Sequence, residues 1–148
     1  MSNVRQLLKA IRQGVVYTIG PNDTITRAVF YMDTLNIGAL VVVDDNGQMV
    51  GILSERDVAR KVILEKRDPD DTQVSEIMTK DPEPVSEFTT LEDAEGLMAK
   101  KNVRHLPVLD KNKNLIGIVS IKDILVVTRH NQELLAMNYL GMIQGPGA

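Results

Sequence analysis

The sequence contains no cysteine and no tryptophan, and only two phenylalanines and three tyrosines. Without cysteine, disulfides and thiolate metal sites are excluded, which fits a reducing compartment. With so few aromatic residues the core must be built from Val, Ile, Leu, Ala and Met. Long apolar runs are missing too. Ala39-Leu40-Val41-Val42-Val43 is far too short to cross a bilayer. The stretch Met1-Ser2-Asn3-Val4-Arg5 has no apolar segment of the secretory type. No membrane partner and a cytoplasmic location are the expectation. Nor is there an excess of basic charge: the formal net charge is −3, so no nucleic-acid partner is expected. A local basic pocket for a small anion remains compatible with that balance. The motifs of common catalytic sites are absent as well (Gly-x-Ser-x-Gly, a Walker loop, His-Glu-x-x-His). The chain reads as a binding module rather than an enzyme.

What the sequence does contain is a seven-residue stretch that occurs twice. Gly51-Ile52-Leu53-Ser54-Glu55-Arg56-Asp57 returns 66 residues later as Gly117-Ile118-Val119-Ser120-Ile121-Lys122-Asp123. Each copy reads as the end of a buried strand, a Ser at the turn, and an Asp three residues into a helix. A hydroxyl, a carboxylate and a basic side chain (Arg56 or Lys122) thus gather at a helix N-terminus. Free amide N–H groups and the helix dipole favour an anion there. An aspartate that accepts two hydrogen bonds suits a ribose diol beside that anion.

The copies are part of a larger duplication. At the same offset, residues 38–58 and 104–124 are identical at eight of 21 positions; unrelated segments would share about one or two. Upstream, Thr24/Thr90, Ala28/Ala94, Met32/Met98 and Asn36/Asn102 recur every four residues, along one helix face. Residues 2–13 predict an amphipathic helix ended by Gly14, with Val4, Leu7, Leu8 and Ile11 inward. Residues 15–19 predict a strand, and Thr24 caps a helix facing inward through Ile25, Ala28, Val29, Met32 and Leu35. Residues 38–43 and 49–53 predict a hairpin turning at 44–47, and the helix opened by Ser54 runs to about Lys66. Residues 67–73 read as a linker, Val74–Met78 as one helical turn, and the pattern then starts again. A separate amphipathic helix is expected over 131–143, with Leu134, Leu135, Tyr139, Leu140 and Ile143.

The chain resembles a tandem pair of cystathionine β-synthase (CBS) domains, a Bateman module. The doubled Gly-x-x-Ser-x-x-Asp carries the resemblance, with the strands Val-Val-Val-Asp and Leu-Pro-Val-Leu-Asp and the lead-in Val-Ser-Glu-Ile-Met-Thr at 74–79. It implies an α/β (α+β) fold of two β-α-β-β-α repeats, about residues 14–67 and 74–130, packed about a pseudo-twofold axis. Helices would flank it at 1–13 and 131–148. It implies an adenosine-type ligand between the repeats: AMP first, with ATP, ADP, NAD(H) or S-adenosylmethionine as the others. It also implies a homodimer of CBS pairs and a regulated partner protein. Carried over residue by residue, Asp57 and Asp123 would hold ribose, and Ser54 and Ser120 would sit near ribose or phosphate. Arg56, Lys122 and Arg104 would contact phosphate. The strand segments Val16-Tyr17-Thr18-Ile19 and Pro84-Val85-Ser86 would line the adenine pocket with backbone, and Ala39, His105 and Pro107 are further candidate ligand-binding residues. One departure stands out. Repeat 1 has Gly38-Ala39 where repeat 2 has Arg104-His105, which predicts unequal sites.

Three other questions stay open at this point. Ser-x-x-Asp at a strand-to-helix turn is also a capping box, although capping and ribose binding do not exclude one another. His105 reads as a phosphate contact, a general base, a metal ligand or a hydrogen-bonded structural side chain. A ligand-independent dimerisation or scaffold module is the alternative function.

Overall fold

The computed structural model describes residues 2–11 and 15–144, and the side chains as far as Leu140. Helix α1 (Val4–Ile11) is followed by β1 (Thr18–Ile19), α2 (Ile25–Leu35), β2 (Ala39–Val43), β3 (Met49–Ser54) and α3 (Glu55–Val58). A π-helical turn, Ala59–Ile63, continues α3. Then come α4 (Val74–Ile77), β4 (Thr79–Lys80), β5 (Val85–Ser86), α5 (Leu91–Lys101), β6 (His105–Leu109), β7 (Leu115–Ser120) and α6 (Ile121–Gln144). The strands form two small sheets, β1-β2-β3-β4 and β5-β6-β7. In each, a two-residue strand pairs parallel with the first hairpin strand, and the hairpin is antiparallel.

The duplication is visible atom by atom. Thr24 Oγ1 accepts from Arg27 N at 3.2 Å to cap α2, and Thr90 Oγ1 from Asp93 N at 3.0 Å to cap α5. Asn36 and Asn102 end these helices in the left-handed region, both at φ 54, where Asn is among the few tolerated residues. In the hairpin turns Asp44 Oδ1 accepts from Asn46 N and Gln48 N, and Asp110 Oδ1 from Asn112 N and Asn114 N, all at 2.9 Å.

Each repeat has its own core, and the lead-in helices are exchanged between them. Val4, Leu7 and Leu8 of α1 bury in the core of repeat 2, with Leu91, Ala94, Met98 and Ile124. Val74 and Ile77 of α4 bury in that of repeat 1, with Ile25, Ala28, Met32 and Leu53. Backbone bonds fasten the exchange: Val4 N donates to Thr89 O at 2.9 Å, and Val74 N to Asp23 O at 2.9 Å. The exchange also explains the motif glycines. A Cβ on Gly51 would lie 2.6 Å from Met78 Sδ, and one on Gly117 would lie 3.0 Å from Leu8 Cδ1. Both glycines give way to a lead-in side chain.

Several expectations are corrected. The strand expected over 15–19 is only Thr18–Ile19, and Gly14 lies outside the described residues. Ile11 and Val29, expected inward, are exposed. The segment after α4 adds a fourth strand, β4, to the first sheet. The helix after Ser54 is α-helical for one turn only before it widens. There is no break near residue 131, so the helix opened by Ser120 and the expected C-terminal helix are one 24-residue element. Ser120, Asp123, Ile124 and Val127 seat its first turns. From Gln132 to Leu140 every side chain is exposed.

Candidate nucleotide cleft

A cleft of about 790 Å³ opens where the two repeats meet. Volumes of about 300–1,000 Å³ are typical of sites that take small molecules. Three segments line it: Ser54 to Asp57 with Arg60 from repeat 1, Thr79 to Glu83 from β4 and the chain beyond, and Lys101 to Leu106 from repeat 2. A second pocket of only about 20 Å³ is lined by Val15, Val16, Tyr17, Ile37, Gly38, Ala39, His105 and Ile118. The two are related by the duplication. At an offset of 66, residues 15–17, 37–39 and 118 answer to 81–83, 103–105 and 52 of the large cleft. His105 borders both, and a Cβ on Gly38 would lie 3.4 Å from His105 Nε2 and 3.5 Å from Glu55 Oε2.

In the large cleft Ser54 and Asp57 form a complete capping box. Asp57 N donates to Ser54 Oγ at 3.2 Å, and Asp57 Oδ2 accepts from Ser54 N and Oγ at 3.1 Å each. The capping reading is therefore correct for this copy, and it fixes where the carboxylate stands. The other oxygen, Oδ1, faces the Lys61 ammonium at 3.1 Å and accepts a long 3.5 Å bond from Thr79 Oγ1. Asp57 is 8% exposed, so this charge keeps its partners in a partly dry setting. In repeat 2, Asp123 N donates to Ser120 Oγ at 3.1 Å, the same cap.

The cleft is basic for an acidic protein. Arg56, Arg60, Lys80, Lys101 and Arg104 line it against Glu55, Asp57, Asp81 and Glu83. Two of the cations are engaged: Lys101 pairs with Glu83 at 3.1 Å, and Arg56 Nη1 donates to Asn102 O at 3.0 Å. That carbonyl belongs to the residue capping the C-terminus of α5, where a cation is favoured.

Of the residues singled out from sequence, the large cleft gathers Ser54, Arg56, Asp57, Arg104 and His105, and the small pocket gathers Val16, Tyr17, Ala39 and His105. Ser120, Lys122 and Asp123 line neither. Ile19 and Val85 turn their side chains into the two cores, Pro107 is buried in β6, and Thr18 is exposed. Sequence reasoning missed Thr79, Arg60, Lys61, Lys80 and Lys101. The available signals were the spacing of Arg60 from Arg56 and the end of the lead-in at Thr79, but no ligand role was read for Arg60 or Thr79 from either. Among the described residues no group of His, Asp and Glu is placed to hold a metal, and no helix is long and apolar enough to cross a membrane.

Comparison with known proteins agrees with this architecture. The CBS domain family matches residues 4–64 and 74–129, and the chain belongs to that family as two CBS domains in tandem. It is 42% identical over 109 residues to a 17.7 kDa protein of Acidianus ambivalens, covering 74% of this chain and 65% of that one. It is 39% identical over 117 residues to the CBS domain-containing protein YhcV of Bacillus subtilis, covering 79% and 81%. With the mitochondrial CBSX3 of Arabidopsis thaliana it shares 41% over 130 residues, covering 84% and 62%. The chain thus spans less than two thirds of the first and third of these relatives. A solved structure with CBS domains from Burkholderia ambifaria superposes with a TM-score of 0.82 at 39% identity, covering 88% and 96%. A CBS domain protein from Pyrobaculum aerophilum, solved with AMP, has a TM-score of 0.73 at 25% identity and covers 82% and 88%. The CBS domain pair of protein MJ0100, solved with 5′-methylthioadenosine and S-adenosyl-L-methionine, has 0.75 at 26% and covers 87% and 97%.

Proposed function

We propose that this chain is a regulatory sensor that binds an adenosine-type nucleotide between its repeats and signals by a change of conformation or assembly. One observation carries the reading: the large cleft sets a fixed carboxylate at a capped helix N-terminus beside five basic side chains. The carboxylate is a fitting acceptor for a ribose diol, and the basic rim for phosphate. The relatives solved with AMP and with S-adenosylmethionine support the same ligand class. AMP stands first, with ADP, ATP, NAD(H) and S-adenosylmethionine as the panel. No reaction is assigned to the site; ligand binding alone is its task, and it can shift an equilibrium only by its differential affinity for the two states.

Assembly is the second half of the proposal. Phe30 on α2, Ile63 and Leu64 after α3, and Leu125 and Val126 on α6 are each more than half exposed. Among the described residues α5 adds no large exposed apolar side chain, so α2, the turn that follows α3, and α6 are the faces for a homodimer. Those faces also sustain the scaffold alternative. Thermal unfolding with AMP, ATP, NAD, NADH and S-adenosylmethionine separates the two. A ligand at a hundred times its dissociation constant adds about 2.7 kcal/mol. A flat response across the panel favours the scaffold.

A further inference from the structure

We propose that Lys61 is a latch on Asp57: a ribose diol takes the carboxylate at the expense of the Lys61 contact, which leaves the Lys61 ammonium on the Ile77 carbonyl at the end of α4. The inference rests on the nucleotide reading of the cleft and concerns how that site is set.

Lys61 Nζ lies 3.1 Å from Asp57 Oδ1 and also donates to the Ile77 carbonyl at 3.0 Å. Ile77 is the last residue of α4. One ammonium therefore ties the carboxylate at the cleft to the C-terminal end of the exchanged lead-in helix, where a cation is favoured. Asp57 Oδ2 is held by the cap, so Oδ1 is the oxygen on which a second hydroxyl would have to compete.

The local backbone is built to allow this contact. In repeat 2 the core residues after Asp123 are Ile124 and Val127. In repeat 1 the place answering to Val127 is Lys61, and the core residue comes one step later, at Val62, only 2% exposed. The π-helical turn Ala59–Ile63, with Leu64 N donating to Ala59 O at 3.1 Å, takes up that step. Such turns are rare and often mark functional positions. The same stretch of α6 is regular helix and carries no basic residue from Ile124 to Thr128. At the place of Lys61, α6 thus carries the apolar Val127 instead of a lysine.

The contact is partly open to water, with side-chain exposures of 41% for Lys61 and 11% for Asp57, so its strength is modest and it can be exchanged. Calorimetric titration of wild type, Lys61→Met and Lys61→Arg with AMP and with 2′,3′-dideoxyadenosine monophosphate tests it. Lys61→Met should tighten AMP about three- to fivefold, as expected for removal of an exposed ion pair. It should leave the dideoxy nucleotide unchanged, and Lys61→Arg should restore wild-type affinity. Lys61→Gln serves if the methionine variant does not fold. Equal or weaker AMP binding by the variants, or equal gains for both nucleotides, overturns the latch while leaving the nucleotide site standing. Binding of neither nucleotide by the wild type overturns the nucleotide reading, and the latch with it.

Discussion

Arg56 and Asn102 join the two repeats across the large cleft: the Arg56 guanidinium donates to the Asn102 carbonyl at 3.0 Å. Asn102 stands at the left-handed C-cap of α5, so the bond quiets an orphan carbonyl and fixes the mouth of the cleft at once. Arg56→Ala should lower stability by about 1 kcal/mol, the discounted value of a charged hydrogen bond open to solvent. Urea denaturation checks this. The same variant should also weaken AMP, because both walls lose their tie.

The motif glycines should differ in tolerance. A Cβ on Gly51 meets Met78 Sδ at 2.6 Å and the Thr79 backbone carbonyl at 2.8 Å, whereas on Gly117 it meets the Leu8 methyls at 3.0 and 3.1 Å. A flexible side chain can yield, but a backbone carbonyl in β4 cannot do so without moving Thr79 and the cleft. Gly51→Ala should cost about 1–3 kcal/mol, as overpacking does, and Gly117→Ala less. Paired denaturation curves would show the order, and equal costs would mean that β4 adapts freely.

Arg104 lines the large cleft, while Gly38, its counterpart, offers no side chain. Arg104→Ala should weaken AMP about ten- to a hundredfold, since a charged contact contributes about 1.5–3 kcal/mol. Adenosine, which has no phosphate, should be nearly indifferent. Calorimetry with both ligands decides; equal losses would make Arg104 a support of the fold.

Acid should act through two surface carboxylates. Asp110 is held below its ordinary value of 3.8, chiefly by the Asn114 backbone N–H, and Glu76 below 4.5, chiefly by the Gln73 backbone N–H. A carboxylate with a depressed folded value contributes stability that is complete above its ordinary value and is lost as pH falls through the folded one. Stability should therefore decline on acidification below about 4.5. Asp110→Asn and Glu76→Gln should each flatten that decline in a series of melting curves.

Much of the fold was legible because the duplication repeats short-range chemistry. Thr24/Thr90, Asn36/Asn102, Asp44/Asp110 and Ser54/Ser120 each do in one repeat what they do in the other, and their partners lie within four residues in sequence. What escaped was long-range. Val4-Arg5-Gln6-Leu7-Leu8 is the counterpart of Val74-Ser75-Glu76-Ile77-Met78 at an offset of 70, not 66, so the N-terminal helix read as an appendage rather than a lead-in. The exchange of lead-ins depends on tertiary packing that periodicity cannot show. Of the cleft lining, Asp57 was legible from the motif and Arg104 from the family resemblance. Lys61 and Thr79 were not, because a widened helical turn and a two-residue strand bring them to Asp57.

Isothermal titration of AMP into wild type, Asp57→Asn and Asp123→Asn tests the nucleotide cleft most directly. Asparagine keeps a capping oxygen but loses the charge and one acceptor. Wild type should bind saturably, Asp57→Asn should lose at least tenfold in affinity at the large cleft, and Asp123→Asn should retain that site. Undiminished AMP affinity in Asp57→Asn would contradict the assignment and leave Asp57 as a helix cap alone.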